Sequence, residues 1–203
     1  MQKLIEELNK QTGEFYCEAI DNKTDTKIVE FKHIIEPPYE SEIILKDTTL
    51  KEFYSAIGSL TLFYCSDGEE AAFYISHPSG WELLELAFDD WVDMLDEDEE
   101  KECLPDWFGE HKVIGEIPST GNYILTVTEG NEKGAVYTFN HDGFEFEKLG
   151  DNITDFIRTT INPNSNILTD MASHMRFISG GSYQQWWIKE LRHNSGEVVV
   201  TNL

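Results

Sequence analysis

The chain has 203 residues and 40% hydrophobic content, which is enough for a real core and favours one domain with appendages. Its 39 acids stand against 15 Lys and Arg, giving a formal net charge of −24. Such a field repels nucleic acid and anionic lipid and attracts basic proteins, although acidity also serves solubility alone.

The first residues, MQKLIEELNKQTG, contain neither a basic n-region nor an apolar h-region, so no secretory signal is expected. No run approaches roughly eighteen apolar residues, and no membrane-spanning helix is expected. Cys17, Cys65 and Cys103 are odd in number, widely spaced and without a CxxC pair. They predict neither a disulfide framework nor a cysteine zinc site, and a reducing cytoplasm is the expected location.

Residues 1–12 read as a short helix with Leu4, Ile5 and Leu8 on one side and Gly13 as its stop. Glu14–Ile20 and Lys27–Ile35 read as strands of a hairpin around the turn residues 21–25. Pro37-Pro38 closes this lead-in, and Glu42–Leu45 offers another short strand. Leu50–Ile57 reads as a helix capped by Thr48 or Thr49 and stopped by Gly58. Leu60–Cys65 and Ala71–Ser76 then form a hairpin around Ser66-Asp67-Gly68.

The longest predicted helix runs from Trp81 to Glu99, with Trp81, Leu84, Phe88, Trp91, Val92 and Leu95 at the spacing of one buried face. Leu83, Leu86 and Met94 lie off that face, so either neighbouring elements cover them or they belong to a contact surface. Between residues 82 and 110 stand thirteen acids and one lysine. Glu82, Glu85, Asp89, Asp93, Asp96 and Glu97 share a flank of the helix, with like charges at i, i+4 and anions toward its C-terminal half. Local stability would not ask for either arrangement. The flank is a solvated face or an acidic landing surface.

Three strands follow, Tyr123–Thr128, Ala135–Asn140 and Phe144–Leu149. Glu129–Gly134 joins the first two, with two glycines available for positive φ, and Asn140–Gly143 joins the second pair. A helix over Ile153–Ile161, capped by Asp151 or Asn152, buries Ile153, Phe156, Ile157 and Ile161. Beyond Arg158 the charge nearly balances, with four basic residues from Arg158 onward against three acids. Asn162–Asn166 reads as a linker, Met171–Ile178 as helix or strand, and Gly180-Gly181-Ser182 as a joint. Tyr183–Leu191 and Glu197–Thr201 form a terminal hairpin, in which the adjacent Trp186 and Trp187 face opposite ways.

The series Ile114-Gly115, Gly121-Asn122-Tyr123, Gly134-Ala135-Val136-Tyr137, His141-Asp142-Gly143 and Asp155-Phe156-Ile157 resembles the SUKH superfamily. That family includes the yeast glucan-synthesis regulator and many bacterial toxin-immunity proteins. The resemblance covers about residues 50–158. Leu50–Gly58 and Asp67-Gly68 answer the family's opening helix and Asn-Gly, while its Leu-Pro is absent. It implies an α+β fold, a mostly antiparallel sheet with helices packed on one side. Residues 1–49 would then be a lead-in and 159–203 a C-terminal extension of one domain.

Signals for chemistry are sparse. There is no GxSxG, HExxH, GxxxxGK[ST] or GxGxxG. No two of His33, His77, His111, His141, His174 and His193 sit at metal-ligand spacing. His141-Asp142 is accounted for by turn geometry. Asp96, Asp98 and Glu100 imitate the start of an EF-hand loop, but Lys101 replaces its glycine and Trp107 its bidentate glutamate. Arg176, Lys189 and Arg192 near Trp186 could offer at most a small basic site.

The sequence therefore predicts an interaction protein with no catalytic residues, metal or cofactor, and with no nucleic-acid or membrane partner. Taken with the charge, the resemblance implies an immunity protein that neutralises a basic toxin domain, a nuclease, through the acidic flank. The alternatives are a regulatory scaffold like the glucan-synthesis regulator and a hydrolase whose carboxylates the sequence does not single out.

Overall fold

A short helix, α1 (Gln2–Lys10), buries Leu4 and Leu8 and gives way at once to a strand, β1 (Thr12–Ala19). Gly13 lies inside that strand and does not stop the helix. A Cβ there would collide with the Arg192 carbonyl oxygen and the Phe31 ring, so glycine allows the neighbouring backbone to close in. The structure is a computed structural model that describes residues 1–38, 48–178 and 185–202, the side chains of Thr48, Thr49 and Ile178 excepted. The expected strand Glu42–Leu45, the threonine caps and the joint Gly180–Ser182 lie outside what it describes.

The remaining elements are β2 (Thr26–Glu36), α2 (Thr48–Tyr54), β3 (Ser59–Tyr64), β4 (Phe73–Ile75), α3 (Trp81–Val92) and α4 (Glu97–Cys103). They continue with β5 (His111–Ile117), β6 (Asn122–Val127), β7 (Val136–Asn140), β8 (Glu145–Gly150), α5 (Ile153–Ile161) and α6 (Ser165–His174). The chain ends with β9 (Phe177–Ile178), β10 (Gln185–His193) and β11 (Val198–Val200). The architecture is α+β, antiparallel strands with separate helices, as the sequence predicts.

Two compact units divide the chain, and they do not follow a core-with-appendages plan. One gathers Gln2–Ile34, Thr61–Ala72 and Thr160–Leu203, so the lead-in and the C-terminal segment belong to the same body. Its strand order is β11-β10-β1-β2-β3, and β1 pairs antiparallel with both β2 and β10. Strand alternation turns Phe15, Cys17 and Ala19 of β1 inward with Val29, Phe31 and His33 of β2. From β10, Trp186, Ile188 and Leu191 join them, while Trp187 turns away. Phe15 is the hub, its ring centroid 5.1, 5.9 and 6.2 Å from those of Phe31, Phe63 and Phe177. The presumed linker at Asn162–Asn166 is a helix start. Asn164 Oδ1 accepts from the Asn166 and Ile167 amides and caps α6, which packs against β10 and β11. The ambiguous stretch 171–178 divides into the end of α6 and β9.

The other unit gathers Ile35–Leu60 and Phe73–Thr159, with strand order β4-β5-β6-β7-β8. The three predicted consecutive strands appear as β6, β7 and β8, paired antiparallel. Gly130 and Gly134 take positive φ in the first of their turns. Phe139 and Tyr123 are cross-strand partners on one face, with Val113 and Leu125, and Phe88 of α3 seals them. Phe73 stands on the opposite face with Ile75, and there its ring meets Phe156 of α5 at 5.9 Å, edge to face. Helices thus cover both faces of this sheet, where the sequence reading placed them on one side. Phe156 and Ile157 are fully buried, as the helical spacing predicts, and Asn152 caps α5 through the Thr154 and Asp155 amides.

Candidate functional site

The Trp81–Glu99 stretch does not form one helix. His77 accepts from the Ser79 amide in a single 3-10 turn, Pro78–Gly80, and α3 begins at Trp81. It ends at Val92. Residues 93–95 turn, and Asp96 starts α4 with a reciprocal capping box: its carboxylate accepts from the Asp98 and Glu99 amides, and Glu99 accepts from the Asp96 amide. The crowded acids Glu97–Glu100 therefore fill the first turn of a new helix, where the macrodipole favours anions. The two amide bonds hold the Asp96 carboxyl below its ordinary pKa.

The buried side of α3 is as the spacing predicts at Trp81 and Phe88, while Leu84, Trp91 and Val92 are half-buried against the same cluster. Leu95, in the turn after α3, is half-buried. On the other side the six predicted acids separate by role. Glu85 is a tie between α3 and β5. Its Oε2 accepts from Lys112 at 2.7 Å and from the Val113 amide at 3.4 Å, and its Oε1 lies 3.7 Å from His111 Nε2. Burial lowers the His111 pKa, with Glu85 and Asp89 pulling the other way. Asp96 is committed as the cap, and Glu97 belongs to the second helix. Glu82, Asp89 and Asp93 remain exposed, at i, i+7 and i+11 on one stripe. Partial burial and then Glu85 hold the Asp89 carboxyl above its ordinary pKa.

The sequence left the cover of Leu83, Leu86 and Met94 open. The structure leaves these side chains exposed, at 73, 59 and 69%. Leu86 falls four residues after Glu82 and three before Asp89, within the acidic stripe, and Leu83 and the exposed Asp90 flank it. Leu83 and Leu86 thus stand exposed on α3 and Met94 in the turn after it, each close in sequence to exposed carboxylates.

Elsewhere the chemistry-bearing groups are already engaged. His141 Nδ1 lies 2.7 Å from Asn122 Oδ1, its ring lies 4.4 Å from Trp91, and the Asp142 amide donates to Asn140. These are the contacts of a closed turn. In the other unit Arg192 pairs with Glu190 at 2.8 Å and Glu14 at 3.4 Å over the Tyr16 ring, and Arg176 lies over Trp187. The charge of Arg192 is thus compensated locally. Among the described residues no group of three or more His, Cys, Asp or Glu side chains is placed to hold a metal ion, and no helix is long and apolar enough to cross a membrane. Comparison with protein families, with curated proteins and with solved structures finds no match to this chain.

Proposed function

We propose that this protein is a non-catalytic interaction module that binds a basic protein domain through the exposed side of α3. In keeping with the SUKH resemblance, the partner is a toxin domain, a basic nuclease that the protein neutralises. The observation that carries the reading is the exposure of Leu83, Leu86 and Met94 among Glu82, Asp89, Asp90 and Asp93. The apolar side chains would supply the dehydrated centre of the contact and the acids its rim and its steering field. A nuclease is basic where it meets phosphate, so an acidic surface can occupy that region and exclude substrate with no bond made or broken.

Co-expression with each of a panel of basic toxin nuclease domains, to find one that this protein neutralises, tests the reading. Wild type is expected to rescue growth. A variant carrying Glu82→Lys, Asp89→Lys and Asp93→Lys is expected to rescue poorly, its association slowed and the salt dependence of its on-rate reduced. Leu86→Asp should weaken the complex through faster dissociation. Asp96 is left intact because it caps α4. Full protection by the three-lysine variant, with an unchanged salt slope, would reject the α3 surface.

A further inference from the structure

β8 is the last strand of its unit's sheet, and among the described residues no strand pairs with its outer edge. An edge strand turns the N–H and C=O of every second residue away from the sheet, and proteins usually blunt such edges with charge, bulges, proline or cover. Here the only lysine of the strand is occupied, Lys148 reaching Glu132 at 2.7 Å and Asp151 at 3.0 Å. The register shift in its pairing with β7 falls at the far end, opposite Val136 and Tyr137. The stretch from Phe144 to Glu147 carries neither a lysine nor a bulge, and its charges are the acids Glu145 and Glu147.

An open groove of about 740 Å³ lies beside this stretch, between β8 and the end of α4. Phe144, in the turn before β8, and Phe146, within it, are both half-buried and both pack on the Phe139 ring, at 5.0 and 5.1 Å, so they present one apolar side. Glu102 from α4 and Glu145 from β8 are exposed where they line the groove, and the half-buried Cys103 lines it too. Phe144 adopts φ +52, a left-handed conformation uncommon for an aromatic residue, with its ring 5.0 Å from Phe139. Held backbone strain of this kind gathers at recognition sites.

We infer that the β8 edge and this groove together receive an extended basic segment of a partner protein, added to the sheet as a further strand. The partner's backbone would complete the ladder. Its apolar residues would alternate onto Phe144 and Phe146, and its Lys or Arg residues would face Glu102 and Glu145. A chain of alternating basic and apolar residues fits on both counts. The site is distinct from the exposed side of α3, and neither reading depends on the other.

Cys103 supplies the readout. Cys17 and Cys65 are fully buried, and burial pushes the Cys17 thiol up to about 12, so a small alkylating reagent reads Cys103 alone. The probe is a capped synthetic peptide of four Lys-Val repeats. At a concentration about ten times its Kd it should slow Cys103 alkylation roughly tenfold. The same peptide methylated on alternate backbone nitrogens should give no protection, because it cannot complete a ladder. A Glu-Val peptide should also fail, as should the Lys-Val peptide on a Glu102→Lys, Glu145→Lys variant whose circular dichroism matches wild type. The α3 variant with three lysines should be protected as well as wild type. Equal protection by the N-methylated peptide would reduce the effect to charge and overturn the inference. So would an unchanged alkylation rate, or loss of protection in the α3 variant.

Discussion

At Phe88 four rings converge: Phe139 at 5.1 Å, His111 at 5.5 Å, Tyr123 at 5.8 Å and Phe108 at 6.2 Å. Replacing it with alanine removes buried transfer energy and leaves a cavity that the surrounding strands cannot fill. Phe88→Ala should cost about 3–5 kcal/mol, read as a drop in the urea midpoint. His33 makes a different claim. Its Nδ1 accepts from the Phe63 amide at 3.1 Å, so the folded ring is neutral, and burial, with a further push from His193, lowers its pKa to about 4. Burial does the same to His174, held at about 4 against the opposing pull of its bonds to Ala72 and Asp170. Unfolded, both return to about 6.5, so below that pH the unfolded chain binds protons that the folded chain refuses. Stability is therefore full above about pH 6.5 and falls toward pH 4, by about 1.4 kcal/mol per pH unit for each histidine. Urea unfolding at pH 7.5, 6.5 and 5.5 measures this, and His174→Gln should make the slope shallower.

The break between α3 and α4 shows what a pattern of residues reveals at the scale of an element. The apolar period from Trp81 to Leu95 meets no proline or glycine, so it reads as one helix. The signal that ends it was nevertheless present, since Asp96 and Glu99 stand at the spacing of a capping box. Asp96→Ala should speed hydrogen exchange at the Asp98 and Glu99 amides while leaving the core amides of α3 unchanged. Because those bonds lower the Asp96 pKa, their support is present above its ordinary value and is lost as pH falls through the lowered one. The segment β6-β7-β8-α5 was legible for the opposite reason. Its turns, alternation and cap all act within a few residues. The exposure of Leu83 and Leu86 was not legible, because periodicity places a side chain on a helix but does not say whether another element lies over it. The pairing of Glu85 was hidden in the same way, since Lys112 and the Val113 amide arrive from β5.

Across the whole molecule the least legible feature is the unit that joins the two ends of the sequence. No local pattern announces that β1 will lie between β2 and β10, and the lead-in and C-terminal segment read as separate appendages until Gly13 is seen opposite His193. That pairing has a consequence during synthesis. The β1–β2 hairpin leaves the ribosome early, with Phe15, Val29 and Phe31 on its inner face. The strand that completes its other edge is made almost a full chain later, on the order of ten to thirty seconds at typical elongation rates. For that interval a sticky hairpin edge waits in a crowded cell. The acidity builds up over the same interval, with the whole formal charge of −24 in place by Arg158, so nascent copies of the chain repel one another increasingly while the edge waits.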